Sequence, residues 1–462
     1  MIDKVVLCRV LEVALSKGGD YADVYCESRM SFLAQLEDGK LDKLHKGVDA
    51  GVGIRVIFNG KTSYGYSNQL DEKSLIELAA LVGKASKGNP KSLAADLTVS
   101  KPAVNFIITV PPENVPTGKK ISLVRNADSV ARSYDNKIKQ VLAVYRDTLK
   151  QVRIATSDGT ITDDERIYTL ALVQVVAAEN GTIQTGYEPL GGLIGFEIFD
   201  KNPIEELAEQ AAKRAVMMLR APKAPAGRMP VVIGSEAGGT MIHEAIGHGL
   251  EADLADQGLS VYSGKMGRRV ASKLITVIDD ATIQGKRGSF RFDDEGVPSQ
   301  KTILVDRGIL VNYLYDRLNA LKGGKTSTGN GRRQSYRHRP IPRMTNTFIA
   351  PGTHNPDDII TSVNKGLYVK KMGGGQVNTI NGDFVFDVQE GYLIEDGEIS
   401  EPVRGATLTG NGPQILNSID MVGTDLGFSI GTCGKDAQGV PVSDAMPTVR
   451  IPEIVIGGSV KD

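Results

Sequence analysis

Two histidines and a glutamate lie together in the segment His243-Glu244-Ala245-Ile246-Gly247-His248. The chain has only 5 histidines, so two of them within six residues form a concentrated pair of metal-binding side chains. In zinc peptidases a His-Glu-x-x-His helix places two imidazoles on one face, with the glutamate as general base. The segment therefore predicts zinc-dependent hydrolysis, with His243 and His248 as metal ligands and Glu244 as the base.

The spacing of the two histidines is one residue longer than in that motif. Side chains five residues apart on a regular α-helix diverge by roughly 140°, which is too far for both to bind one ion. A π-type turn would bring them into line. A local distortion at Gly247, where no side chain resists it, would do the same. The metal site therefore requires an irregular helix, and a regular helix would leave two ordinary polar residues.

A catalytic zinc usually takes three protein ligands and keeps one position for water. Glu251 and Asp253 follow the histidines and could instead accept hydrogen bonds from the imidazoles. Cys433 stands in a glycine-rich loop, where Lys435 would favour its thiolate. The sequence alone leaves several candidates for the third ligand: Cys433, His338, His354, Glu251 and Asp253.

The segments before these residues alternate between helical and strand patterns. Apolar residues at helical spacing predict helices over residues 2–16, 71–84, 122–133 and 203–219. Short alternating runs predict strands over 22–28, 31–36, 51–58, 62–67, 141–148, 151–156 and 168–178. The dipeptides Asp38-Gly39, Asn59-Gly60 and Asn180-Gly181 are strong hairpin signals. This pattern indicates an antiparallel sheet with flanking helices.

A linker rich in alanine and proline at residues 221–227 separates this half from a second one, which begins with a strand over 229–233. We therefore predict an N-terminal α+β domain over 1–222, with a lobe boundary near 102–117. A mostly-β catalytic domain over 223–462 would carry the metal-binding helix. Helices and strands are segregated rather than strictly alternating, so the predicted fold class is α+β.

Composition argues against several other classes. Lys and Arg (54) nearly balance Asp and Glu (55), which argues against a nucleic-acid binder. The three cysteines are far apart, so a disulfide framework is not expected. No apolar stretch is long enough for a membrane span, and the first residues do not form a signal peptide. These features predict a cytoplasmic protein without a membrane partner.

Long segments of the second half resemble the TldD/PmbA peptidases, also called modulators of DNA gyrase, and specifically the TldD branch. They occur in the order typical of that family and cover most of this half, at Glu236–Asp253, Gly288–Gly296, Gly329–Asn346, Gly410–Pro413 and Gly431–Val442. The resemblance implies one zinc per chain, bound by His243, His248 and Cys433, with Glu244 as general base. PmbA-type relatives lack the metal motif, so this chain looks like a catalytic subunit.

The resemblance also implies a substrate and a partner. The family acts on unstructured peptides and forms dimers, so we expect a homodimer or a heterodimer with a PmbA-like chain. An extended peptide could add as a strand to a sheet edge. Tyr336, His338 or a backbone N–H of a glycine loop are the candidate donors to the oxyanion. The alternatives are a chaperone-like peptide binder with a structural zinc, or a regulator of DNA gyrase.

Three further motifs are weaker. Gly427-Phe428-Ser429-Ile430-Gly431 matches a nucleophile elbow by letter, but no histidine follows Ser429. The run 323–326 lacks the first glycine of a phosphate loop. The basic cluster over 332–343 is either a solvated loop with arginines pairing acidic neighbours or a binding site for a peptide carboxylate or an oxyanion.

Overall fold

The computed structural model describes residues 2–90 and 97–459. Among these residues, no helix combines the length and apolar character needed to cross a membrane. The first half contains, in chain order, α1 (Lys4–Leu15), β1 (Tyr21–Glu37), β2 (Lys40–Phe58), β3 (Lys61–Ser67), α2 (Glu72–Gly83), β4 (Thr98–Val99), α3 (Thr117–Tyr134), β5 (Ile138–Thr156), β6 (Thr160–Glu179), β7 (Thr182–Gly192), α4 (Ile198–Lys201) and α5 (Ile204–Arg220).

The second half is dominated by strands. Its elements are β8 (Gly227–Ile233), α6 (Thr240–Ile242), α7 (Ala252–Ala255), β9 (Val277–Asp280), β10 (Lys301–Asp306), β11 (Ile309–Leu310), α8 (Arg317–Gly323), β12 (Gly331–Arg332), β13 (Ile341–Pro342), β14 (Asn346–Ile349), α9 (Pro356–Thr361), β15 (Lys365–Val377), β16 (Asp383–Glu395), β17 (Glu398–Val403), β18 (Thr407–Asn411), α10 (Gly412–Ser418), β19 (Met421–Val422), β20 (Gly427–Lys435), β21 (Gln438–Met446) and β22 (Val449–Gly457).

The first half forms one long sheet in the order β3-β2-β1-β5-β6-β4, with β7 also paired to β6. Its central strands are unusually long: β1 has 17 residues and β5 has 19. At about 3.3 Å per residue they extend roughly 60 Å, so two separate helix pairs fit along the sheet. One core joins α1 and α2 to one end, and another joins α3 and α5 to the other. The predicted antiparallel sheet with flanking helices is confirmed.

The second half contains two larger sheets. One has the order β11-β10-β9-β14-β21-β20, which leaves β20 at an edge. The other has the order β15-β8-β22-β18-β16-β17, and additional pairing of β15 with β16 closes it on itself. The largest hydrophobic core of this half lies between these sheets and the short helices around residue 245. The α+β fold class is confirmed. The predicted domain boundary at 222/223 falls between α5 and β8, and it stays a prediction.

Buried ion pairs hold the second half against the first. Arg55 on β2 binds Asp23 on β1 and Glu295, whose Oε1 is 2.7 Å from the guanidinium. Arg166 on β6 similarly contacts Asp294 at 2.8 Å. All five side chains are buried. Because removing one partner of a buried ion pair typically costs about 3–5 kcal/mol, these contacts fix the position of the segment 288–296 on the N-terminal sheet.

Candidate metal centre

The two histidines of the predicted motif lie on an irregular helical segment, as the metal hypothesis requires. The single turn of α6 leads into a π-helical turn over His243–Gly247, followed by a 3₁₀ turn over His248–Leu250. The backbone N–H of His248 donates to the carbonyl of His243, which is five residues earlier rather than four. The ring centroids of His243 and His248 are consequently only 4.9 Å apart.

Gly247 has a different role from the one considered in the sequence. Its dihedral angles (φ −53°, ψ −57°) are ordinary right-handed helical values, so the distortion is not concentrated there. A Cβ at this position would lie 2.1 Å from the Met344 sulfur, so glycine is needed for close packing. The Tyr262 hydroxyl donates to the Ala245 carbonyl at 2.8 Å and satisfies one acceptor of the turn. Packing therefore holds the π turn in place.

Cys433 reaches the histidines from β20, the edge strand. Its Sγ is 3.2 Å from Nε2 of His243 and 3.4 Å from Nε2 of His248. The three ligand atoms all lie within 4.8 Å of one another. A tetrahedral zinc with bonds of about 2.0 Å to nitrogen and about 2.3 Å to sulfur would hold such N and S atoms about 3.5 Å apart. The residues present therefore fit a zinc ion.

Each imidazole has a carboxylate behind it. Nδ1 of His243 lies 2.7 Å from Asp444 on β21, and Nδ1 of His248 lies 2.9 Å from Glu251. Such a carboxylate accepts the Nδ1–H, so that Nε2 is left as the nitrogen that binds a metal. The expected role of Glu251 agrees with this contact. Asp253, the other predicted imidazole partner, instead accepts a hydrogen bond from Lys435 Nζ at 2.6 Å. Asp444 is the second carboxylate that contacts an imidazole.

The environment of Cys433 favours its thiolate, the form that binds metals. Burial opposes the charge, but the imidazoles of His243 and His248 outweigh burial and lower the pKa of the thiol to about 5. The sequence predicted that Lys435 would lower the pKa of this thiol. In the structure Lys435 pairs with Glu251 at 2.9 Å, and the two imidazoles lower the pKa instead. Arg343 donates to the Cys433 carbonyl and fixes the backbone there.

Glu244 lies beside the three ligand side chains and lines the same large cavity, of about 1210 Å³. The side chain is half-buried, and it makes no hydrogen bond with another described residue. Burial raises the pKa of its carboxyl group, although the neighbouring imidazoles of His243 and His248 oppose the shift. The carboxyl group is therefore free to interact with a molecule in the cavity.

The other candidate residues lie away from this centre. His338 contacts the Ser335 hydroxyl at 3.0 Å, and His354 contacts the backbone of Val422 at 3.1 Å. The Tyr336 hydroxyl donates to Asp49 at 3.1 Å. None of these three side chains lines the cavity that contains Glu244.

Two of the weaker motifs have structural explanations. Ser429 lies within β20 rather than at a turn into a helix, and its hydroxyl accepts from the backbone N–H of Gly239 at 3.3 Å. The basic cluster is not a solvated loop throughout, because Arg332, Arg333 and Arg343 are buried. Arg332 donates to the carbonyl of Met344 at 2.6 Å, so it serves the packing between elements.

Replacing Asp444 by Asn should weaken zinc binding by about 10–100-fold, the usual cost of losing a charged partner of a metal-bound imidazole. The amide retains an acceptor for Nδ1–H of His243, but it lacks the charge that makes the ring more basic. Competition against a chelating dye would measure the change. Asp436→Asn is a matched control, because Asp436 lies in the same β20–β21 hairpin and forms an exposed ion pair with Arg339 at 3.2 Å. Equal zinc affinities in the two variants would contradict this role of Asp444.

Comparison with known proteins identifies the family. Models of the PmbA/TldA metallopeptidase domains match the chain at residues 22–87 (domain 1), 110–219 (central domain) and 226–458 (C-terminal domain). The chain belongs to the PmbA/TldD metallopeptidase family. It is 40% identical to a metalloprotease TldD homolog of Haemophilus influenzae, over 98% of this chain and 96% of that protein. A metalloprotease of Methanocaldococcus jannaschii is 36% identical over 94% of this chain and 96% of its own length.

Two further similarities concern the metal and the fold. A zinc metalloprotease TldD homolog of Saccharolobus solfataricus is 28% identical over 98% of this chain and 100% of that protein. The crystal structure of TldE from Thermococcus kodakarensis has a TM-score of 0.74 at 19% identity, covering 95% of this chain and 97% of that one. At that identity the likeness shows the fold alone. The relatives' names indicate a metalloprotease, and the cluster of His243, His248 and Cys433 indicates where its metal would bind.

Proposed function

We propose that this protein is a zinc-dependent peptidase that hydrolyses unstructured peptides, with Glu244 as general base. One observation carries the proposal. His243, His248 and Cys433 form a cluster of three donors that opens on the same cavity as Glu244. Three protein ligands leave one position of a tetrahedral zinc for water, as in catalytic rather than structural sites. Among the described residues no fourth protein donor joins this cluster, which favours an enzyme over a chaperone-like binder with a structural zinc.

In this mechanism zinc would supply the acidity of the attacking water and polarise the peptide carbonyl. The carboxylate of Glu244 takes a proton from that water and later passes it to the departing amine. Burial raises the pKa of Glu244, which makes its carboxylate a stronger base than an exposed glutamate. Asp444 and Glu251 hold the two imidazoles in the orientation that binding requires.

The cavity offers a sheet edge for an extended substrate. β15 pairs with β16 along its length, but it pairs with β8 only over Leu367–Val369. The following residues, 372–377, line the cavity, and one edge of this segment has no strand partner among the residues that the structure describes. A peptide added to this edge would be held by its backbone, so affinity would depend little on its side chains. Only an unfolded segment can present such a backbone, which is why we infer unstructured substrates.

The glycines of the cavity wall remain the candidate donors to the oxyanion. Gly373, Gly374 and Gly431 line the cavity together with Glu244, whereas Tyr336 and His338 do not. We also propose that the chain forms a homodimer or a heterodimer with a PmbA-like chain. Sedimentation of the purified protein, alone and mixed with such a chain, would measure this assembly.

Metal removal tests the proposed function directly. Purified protein should contain about one zinc per chain, as a three-ligand catalytic site requires, and it should cleave a mixture of unfolded peptides. A chelator should abolish cleavage, and added zinc should restore it, because the ion is needed for attack by water. Mass spectrometry of the products would measure both steps. Cleavage that continues after complete metal removal would overturn the proposal.

A further inference from the structure

The charged side chains lining the large cavity are almost all neutralised by a neighbour. Lys435 pairs with Glu251 and Asp253, Lys371 pairs with Glu188, Glu236 pairs with Lys370, and Asp444 pairs with His243. Within the described parts of the chain, two lining residues have no ion-pair partner. One is Glu244, the proposed general base. The other is Lys286, whose charge has no role in the proposed reaction.

The position of Lys286 is well defined. Its ammonium group lies 3.9 Å from the centroid of the Phe428 ring, a favourable cation–π distance. The next residue, Arg287, donates from Nε to the Gly431 carbonyl at 3.1 Å and from Nη2 to the Thr432 hydroxyl at 3.2 Å. These bonds attach the Lys286 loop to β20. Burial also lowers the pKa of Lys286, so the ammonium is partly desolvated without a compensating anion.

β20 also sets the distance between this ammonium and the metal ligands. Phe428 and Cys433 both lie on β20, five residues apart, so their side chains leave opposite faces of this edge strand. At about 3.3 Å per residue, this separation is roughly 17 Å along the strand. An extended peptide in the same cavity rises by the same amount per residue. A path around the edge of β20 is longer than this separation, so a peptide group beside Lys286 would be at least about five residues from the bond beside Glu244.

We propose that Lys286 binds a carboxylate of the substrate at least about five residues from the scissile bond. The carboxylate is either the side chain of Asp or Glu or the C-terminal group of the peptide. It would supply the anion that the cavity itself does not provide for Lys286, and Phe428 would hold the ammonium in place for it. This inference rests on the proposed peptidase function, because the distance is counted from the reacting bond.

Binding to a chain that cannot cleave tests the site. Zinc-loaded Glu244→Gln protein would be titrated with labelled, flexible peptides of about twelve Ala, Ser and Gly residues, carrying a single Glu at successive positions. A Glu at the favoured position should tighten binding about 5-fold relative to Gln, the scale of a partly exposed ion pair. Adding Lys286→Met should remove this preference. Lys301→Met is the matched control, because Lys301 is exposed on β10 and forms no ion pair with a described residue.

The two sources of carboxylate are separated by the peptide terminus. If the C-terminal group is recognised, a free terminus should bind about 5-fold more tightly than the amidated peptide, and the preference should appear only at one peptide length. If a side chain is recognised, a Glu at the favoured position should tighten binding equally in free and amidated peptides. Either result supports the proposal when Lys286→Met removes it. Equal affinities for all peptides, or a preference that survives Lys286→Met, would overturn it.

Cleavage by the wild-type chain separates this inference from the proposed function. The Glu peptide should show a KM about 5-fold lower than the Gln peptide with similar kcat, because the contact is remote from the reacting atoms. In Lys286→Glu the preference should reverse toward a peptide with Lys at the same position. If both peptides are cleaved with the same KM, the proposed role of Lys286 is wrong, but the proposed peptidase function stands. Absence of all cleavage would reject the peptidase, and the binding titration would still decide on Lys286.

Discussion

Glu244→Gln should lower kcat for peptide cleavage by at least about 10²-fold, within the range typical of general acid–base catalysis. Glutamine has nearly the same shape, but it cannot take a proton from the attacking water. Zinc content should stay at the wild-type level, because Glu244 is not one of the proposed ligands and forms neither of the hydrogen bonds by which Asp444 and Glu251 orient the imidazoles. Metal analysis and initial rates on one peptide would measure both effects.

A second glutamate of the same cavity serves as the control. Glu236 lies in the cavity wall, with 65% of its side chain exposed, and pairs with Lys370 at 3.6 Å. Glu236→Gln removes the same charge at a distance from the ligand cluster, so kcat should change by less than about 2-fold. Wild-type rates in Glu244→Gln would refute its assignment as the base. An equal loss of kcat in the two variants would show that catalysis depends on the net charge of the cavity rather than on the Glu244 carboxylate.

Cys433→Ala should release most of the zinc and abolish cleavage. The substitution leaves two imidazoles as the only protein ligands of the proposed site, and it removes the negative charge that thiolate contributes. The loss of affinity should exceed the roughly 10–100-fold that outer hydrogen-bonding partners usually contribute. Dialysis against a weak chelator, followed by metal analysis, would measure it.

Cys8→Ala is the natural control for this substitution. Cys8 is a half-buried residue of α1 that packs against the N-terminal core. The variant loses a thiol of the same size, so it should retain zinc and activity with only a small loss of stability. Unchanged zinc content and activity in Cys433→Ala would show that the third ligand is another residue.

Local signals were sufficient for much of the fold, and the errors have a common cause. The turns at Asp38-Gly39 and Asn180-Gly181 and the helix 203–219 all lie where the sequence predicts them. The runs predicted at 22–28 and 31–36 are one strand, β1. The start of β2 was missed because most of its first residues, from Lys40 to Asp49, are exposed and lack an apolar alternation. Pairing with β1 holds them extended, and such pairing is not visible in a single segment.

In the metal site, too, the contacts between residues close in sequence were predictable, and the contact that depends on strand pairing was not. The spacing of His243 and His248 predicted an irregular helix, and the structure contains a π turn there. Glu251 follows closely enough in sequence to be recognised as an imidazole partner. Asp444 does not, because its position depends on the register in which β21 pairs with β20. Its signal in the sequence was that it is the single charged residue of β21.

Cys433 follows His248 by 185 residues. A polypeptide still being synthesised on the ribosome holds both histidines long before it holds the cysteine. If these three side chains bind the catalytic metal as proposed, the nascent chain lacks a complete ligand set until β20 has left the ribosome. Proteolytic activity would then begin only after the segment that carries Cys433 has been made, and neighbouring unfolded nascent chains would be protected from premature cleavage until then.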